Sequence, residues 1–151
     1  MRCVLMGIGN ELNGDDGVGN IIARDFAERG QKGWLSLPCE TVPENFTSVI
    51  RKEKPELLII IDAAQMGLEP GELRLVPKRR LGSDVLGTHG IPLRHLVSCL
   101  GKHAKEILFV GVQPGRIAFG EEGLSAPVEK AKERLMGILQ RGEWGKIARL
   151  G

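Results

Sequence analysis

Leu57-Leu58-Ile59-Ile60-Ile61 is an unbroken aliphatic run that ends on a carboxylate, Asp62. A strand with one wet face alternates apolar and polar side chains. A run without alternation is buried on both faces, as at the centre of a parallel sheet. Its shortness and branched side chains favour a strand over a buried helix. Parallel strands need long crossovers, usually helical, and the chain around this run supplies them. Val4–Ile8 is a second apolar run, followed by a glycine-rich turn. Val18, Ile21, Ile22 and Phe26 then fall on one helical face, with Gly30 placed for the C-terminal cap. Trp34–Leu37 reads as a short strand. Phe46, Val49 and Ile50 have helical spacing ahead of Pro55, and Thr41 with Glu44 suits a capping box at that helix start. Glu72–Val76 reads as a strand after the Pro70-Gly71 turn. Leu93, Leu96, Val97 and Leu100 mark an amphipathic helix ending at Gly101, and Ile107–Val112 is the last core strand. Ser125 is placed to cap a final helix that buries Val128, Ala131, Leu135 and Ile138. Beyond Gly142 no pattern emerges. The order predicts a three-layer α/β/α sandwich around a mostly parallel, five-stranded sheet.

The 151 residues suit one domain spanning 1–151, with no repeat, linker or low-complexity stretch to divide them. A formal charge of +2 is too mild for a nucleic-acid partner, and the densest basic cluster, Lys78-Arg79-Arg80, has no aromatic residue interleaved for base stacking. It reads as a solvated loop. No apolar run is long enough for membrane insertion. The opening Met1–Gly7 is interrupted by charge and glycine too early for a secretory signal and reads as the first strand. Cys3, Cys39 and Cys99 are odd in number and scattered, without a Cys-x-x-Cys pair. They suggest neither a disulfide framework nor a zinc knuckle. Free, buried thiols in a cytoplasmic protein are the expectation for all three.

Open α/β sheets bind ligands beyond the carboxyl ends of their strands, and three chemical groups fall there. The first is the turn Gly7-Ile8-Gly9-Asn10-Glu11-Leu12-Asn13-Gly14-Asp15-Asp16-Gly17. An Asp is a good cap at a helix start, but two adjacent carboxylates exceed what capping needs. A dinucleotide fingerprint would require glycine where Leu12 stands, and acidic residues at the helix start repel a pyrophosphate. The second group is Asp62, whose nearness to a buried strand makes an unpaired carboxylate costly. The third is His89, in Thr88-His89-Gly90-Ile91-Pro92-Leu93 just before the Leu93–Leu100 helix. His95 and His103 sit inside a helix and in a polar connection, where no ligand role is expected. Two carboxylates and one imidazole suit a borderline divalent metal such as nickel, zinc or iron, with coordination positions left open.

Gly7-Ile8-Gly9-Asn10, leading into Gly14-Asp15-Asp16-Gly17-Val18-Gly19, resembles the opening signature of the nickel–iron hydrogenase maturation endopeptidases. Pro43-Glu44-Asn45, Asp62-Ala63-Ala64-Gln65-Met66-Gly67, Thr88-His89-Gly90-Ile91-Pro92-Leu93 and Gly111-Val112-Gln113-Pro114 follow in the family's order and spacing, from Val4 to about Leu139. The Asp at position 16, with Asp-Ala-x-x-Met-Gly and Thr-His-x-x-Pro-Leu, is most similar to the branch serving formate-hydrogenlyase-type hydrogenases. Lys78–Gly87 and the tail after Gly142 match no family pattern.

The resemblance implies an α/β sandwich that recognises nickel already inserted in a hydrogenase large-subunit precursor and cuts off its C-terminal extension. It implies Asp16, Asp62 and His89 as the nickel-contacting, catalytic trio. No permanently bound cofactor is expected, since the metal arrives with the substrate, and a maturation chaperone is a further candidate partner. The nickel would act either as a Lewis acid on the scissile carbonyl or a bound water, or as an anchor for the tail while Asp16 or Asp62 serves as general base. Three rival readings carry their own signatures. A nucleotide-binding module would be stabilised by nucleotide without nickel. A silent scaffold would bind the large subunit without releasing a tail. A free-standing metalloprotease would retain its own metal.

Overall fold

The computed structural model describes residues 2–81 and 90–151. Among these residues five strands form one sheet: β1 (Cys3–Gly7), β2 (Trp34–Pro38), β3 (Leu57–Ala63), β4 (Leu73–Leu75) and β5 (Glu106–Val112). Their order is β2-β1-β3-β5-β4, parallel throughout except for β4, which runs antiparallel to β5 at one edge. β3 is flanked by β1 and β5 and fully buried along its length, as its unbroken aliphatic run requires.

Alternation along the strands divides the core in two. Leu5, Ile59, Ile61 and Val110 point to one face, where α1 (Val18–Arg29) and α4 (Ala126–Arg141) cover them with Ile22, Phe26, Leu135 and Leu139. Val4, Met6, Leu58 and Ile60 point to the other, under α2 (Thr47–Glu53) and α3 (Gly90–Leu100), which contribute Ile50, Leu93, Val97 and Leu100. The expected three-layer sandwich is therefore the observed one. Gly30 ends α1 in the left-handed conformation at φ 66°.

Local readings fail where long-range partners intervene. Thr41 and Glu44 do not form a capping box. Pro43 opens a separate 3-10 turn over Pro43–Phe46, so α2 starts only at Thr47 and has no side-chain cap. Cys3 and Cys39 are buried as expected, but Cys99 is exposed. Leu93, Leu96, Val97 and Leu100 define the sheet-facing side of α3, and 3.6 residues per turn carry position 99 away from it. Ser125 precedes α4, yet its side chain does not cap that helix.

The patternless tail is also ordered into the fold. Trp144 packs edge-on against Trp34, centroids 5.9 Å apart, and Trp34 does the same to Phe26 at 5.3 Å. Ile147 is buried, while Leu75 N–H donates to Ala148 O and Leu150 N–H donates to Leu75 O. The tail thus covers the open edge of β4, which would otherwise expose unpaired backbone groups. Trp144→Ala is expected to lower stability by about 2 kcal/mol, through lost burial and an aromatic contact. Urea unfolding at neutral pH measures it.

Candidate active site

The connections that leave β1 and β3 pass to opposite faces of the sheet: α1 lies on one, α3 on the other. Such a reversal opens a crevice at the carboxyl ends of the two strands. Asp62 is the penultimate residue of β3, and Asp16 lies in the 3-10 turn Gly14–Gly17 that joins the β1 loop to α1. That turn packs against β3, so the two carboxylates share one end of one sheet. Both are buried. Strand alternation turns Asp62 toward the α2/α3 layer, and its Oδ1 accepts the Ala63 N–H at 2.8 Å. Asp16 Oδ2 lies 3.4 Å from the Asn10 N–H. The third expected ligand, His89, lies outside the described residues, and among the described residues no cluster of three His, Cys, Asp or Glu side chains is set to hold a metal.

The turn's glycines permit this approach. A Cβ on Gly19 would meet the carbonyl oxygens of Ile8 and Ile61, both at 2.3 Å, so only glycine lets α1 start against β1 and β3. Gly9, at φ 152°, has Asp16 O just 2.1 Å from where its Cβ would stand. The Asp16 backbone is thereby pressed into the turn by the chain that precedes it.

The adjacent pair of aspartates divides its work. Asp15 Oδ1 accepts the Ser125 N–H at 2.7 Å, and its Oδ2 accepts Gly115 N–H at 2.8 Å, Arg116 N–H at 2.7 Å and Ser125 Oγ–H at 2.6 Å. It is a clasp between the first turn, the loop after β5 and the start of α4. Burial by itself would raise its carboxyl pKa. The hydrogen bonds from Ser125, Arg116 and Gly115 outweigh burial and hold it below the usual value.

Two further polar residues, to which sequence reasoning attached no role, position the loops around the crevice. Asn20 is buried on α1; its Nδ2 donates to Glu11 at 2.6 Å and its Oδ1 accepts the Glu40 N–H at 2.8 Å. Gln113, also buried, accepts Met66 N–H at 2.8 Å and Leu68 N–H at 3.3 Å, and donates to Gln65 Oε1 at 3.0 Å. It fixes the loop that follows Asp62. The signals for Gln113 are an amide at a strand end and its place in Gly111-Val112-Gln113-Pro114, and Asn20 on the buried face of an amphipathic helix is the signal for the other.

The cysteines offer no nucleophile at this edge. Burial, with a smaller contribution from the Glu44 charge, pushes the Cys39 thiol up to about 12, and burial also raises Cys3. Exposed Cys99 lies on α3, its Sγ 3.8 Å from His95 Nε2, in a cleft of about 500 Å³ between α3 and the segment from Thr41 to Thr47.

Sequence and fold are both similar to those of known proteins. The hydrogenase maturation protease family matches residues 37–141. The chain is 33% identical to the hydrogenase 3 maturation protease of Escherichia coli, over 98% of this chain and 97% of that protein. It is also 33% identical to a putative hydrogenase maturation protease of Methanocaldococcus jannaschii, over 91% and 86% of the two chains. The solution structure of the Escherichia coli endopeptidase HycI superposes with a TM-score of 0.89 at 32% identity, covering 100% of this chain and 97% of that one. The crystal structure of the [NiFe] hydrogenase maturation protease HycI from Thermococcus kodakarensis gives 0.82 at 33% identity, covering 94% and 92%.

Two measurements follow from the local chemistry. Asp15→Asn is expected to cost roughly 2–3 kcal/mol at pH 7, since it removes a charge that satisfies several buried donors. A depressed folded-state carboxyl contributes fully above the unfolded value near pH ~4 and loses its contribution as pH falls through the folded value. The difference between variant and wild type in urea unfolding should therefore shrink in acid. A disulfide-exchange reagent at mild alkaline pH should titrate Cys99 in the native protein, with Cys3 and Cys39 reacting only after unfolding.

Proposed function

The chain belongs to the hydrogenase maturation protease family and is a peptidase; from that premise we propose that it removes the C-terminal extension of a nickel-loaded hydrogenase large-subunit precursor of the formate-hydrogenlyase type. The observation that carries this reading is that Asp16 and Asp62 are both buried, one in the Gly14–Gly17 turn and the other at the carboxyl end of β3, the strand that turn packs against. Together with His89 they are the residues that contact the substrate's nickel. The reaction takes place in the cytoplasm, with no resident cofactor in the enzyme. Among the described residues no helix is long and apolar enough to cross a membrane.

The donor set fits a metal that arrives with the substrate. Carboxylate and imidazole ligands bind a borderline divalent ion and leave positions for ligands of the precursor. Fixing the nickel fixes the tail attached to it, so capture of the metal orients the scissile bond against the carboxylates. A carboxylate at this edge then takes the proton of the attacking water, and the proton passes to the departing amine as the peptide bond breaks. Gln113 and Asn20 hold the loops on either side. A precursor without nickel cannot be oriented this way, which makes cleavage a check on completed metal insertion.

Tail release is the test. Nickel-loaded precursor should be shortened by the wild-type enzyme, and nickel-free precursor should not. Asp16→Asn and Asp62→Asn should each slow release by at least about 100-fold, with thermal unfolding confirming that the variants remain folded. Equal cleavage of the loaded and empty precursors would overturn the substrate-metal reading.

A further inference from the structure

Beside the Asp16 turn the molecule shows an apolar surface that the chemistry of the crevice does not use. Phe119 is 88% exposed, Leu12 55% and Ile117 42%. They lie on two loops that the fold joins: the β1 loop, and the loop after β5. Gly14 N–H donates to Glu121 O at 2.7 Å, Asp15 N–H donates to Arg116 O at 2.7 Å, and Asn13 pairs in parallel with Glu121. Leu12 directly precedes one end of this bridge, and Phe119 lies two residues before the other. The Asp15 clasp secures Gly115 and Arg116 from beneath. Polar residues border the patch, including the Arg116–Glu121 ion pair at 2.9 Å.

Large apolar side chains exposed together, on a rigid base and within a polar border, are the anatomy of a protein contact. Rigidity lowers the ordering cost of binding, and aromatic anchors contribute most of the energy at such surfaces. The patch is continuous with the cleavage edge: Leu12 and Asp16 belong to the same short loop and turn. A protein substrate brought to Asp16 comes up beside these loops. We propose that Leu12, Ile117 and Phe119 form the docking surface for the folded body of the hydrogenase large-subunit precursor. An apolar surface of that body covers them, while its tail reaches the carboxylates. The inference rests on the function proposed above and adds a recognition surface distinct from the metal-contacting residues.

The experiment compares wild type with Leu12→Ala/Phe119→Ala in steady-state cleavage of nickel-loaded precursor, and in direct binding of that precursor. Thermal unfolding should be unchanged, because both side chains face solvent. The KM and the dissociation constant should rise by at least about tenfold with kcat kept, and Phe119→Leu should recover part of the loss. An unchanged KM, or a fall in kcat alone, overturns docking while leaving the proposed function intact. If wild type releases no tail, that function fails by itself, and the binding measurement still decides: weaker precursor binding by the double variant supports the surface, equal binding overturns it. A dimer of the free wild-type chain that the double variant dissolves would assign the patch to self-association and overturn the proposal.

Discussion

One buried carboxylate holds the working end of this molecule together. Asp15 collects donors from Gly115, Arg116 and Ser125, joining the first loop of the chain to the loop between β5 and α4. A charge taken out of water is tolerable only when its lone pairs are met, and here backbone N–H groups and a hydroxyl meet them. The Asp16 turn, the loop after β5 and the start of α4 are consequently fixed relative to one another. Its neighbour Asp16 is buried in the same turn, which packs against β3.

Small residues and buried amides extend that control across the sheet edge. Gly19 lets α1 begin against the carbonyls of Ile8 and Ile61. Asn20 then ties the first loop to the segment after β2, and Gln113 ties the end of β5 to the loop after Asp62. Among the described residues no buried side-chain nitrogen or oxygen lacks a hydrogen-bond partner. In a low-dielectric surrounding an unmet polar group is costly, so this satisfied network resists rearrangement. Loops already in place cost less to engage on binding than loops ordered on arrival.

The same edge separates two kinds of surface within a few residues. Asp16 and Asp62 are withdrawn, whereas Leu12 and Phe119 project. Polar groups suited to chemistry are shielded from bulk water, and apolar groups suited to contact are presented to it. One set of backbone hydrogen bonds between the β1 loop and the β5 loop supports both arrangements.

Local pattern was enough for the layers. The uninterrupted Leu57–Ile61 run could only be central, and the helical spacing of Val18, Ile22 and Phe26 could only cover a sheet, because periodicity records which side of an element avoids water. The position of Asp62 at the end of the central strand was legible for the same reason. Tertiary structure decided what depended on partners far along the chain. Asp15 and Asp16 are indistinguishable by neighbourhood, and contacts 100 to 110 residues away separate them. Cys99 faces outward because of the way α3 meets the sheet, and the tail after Gly142 finds order only by closing the edge of β4 and packing on Trp34. Periodicity carries the direction a side chain faces; it carries nothing about the distant donor, ring or strand edge that it meets there.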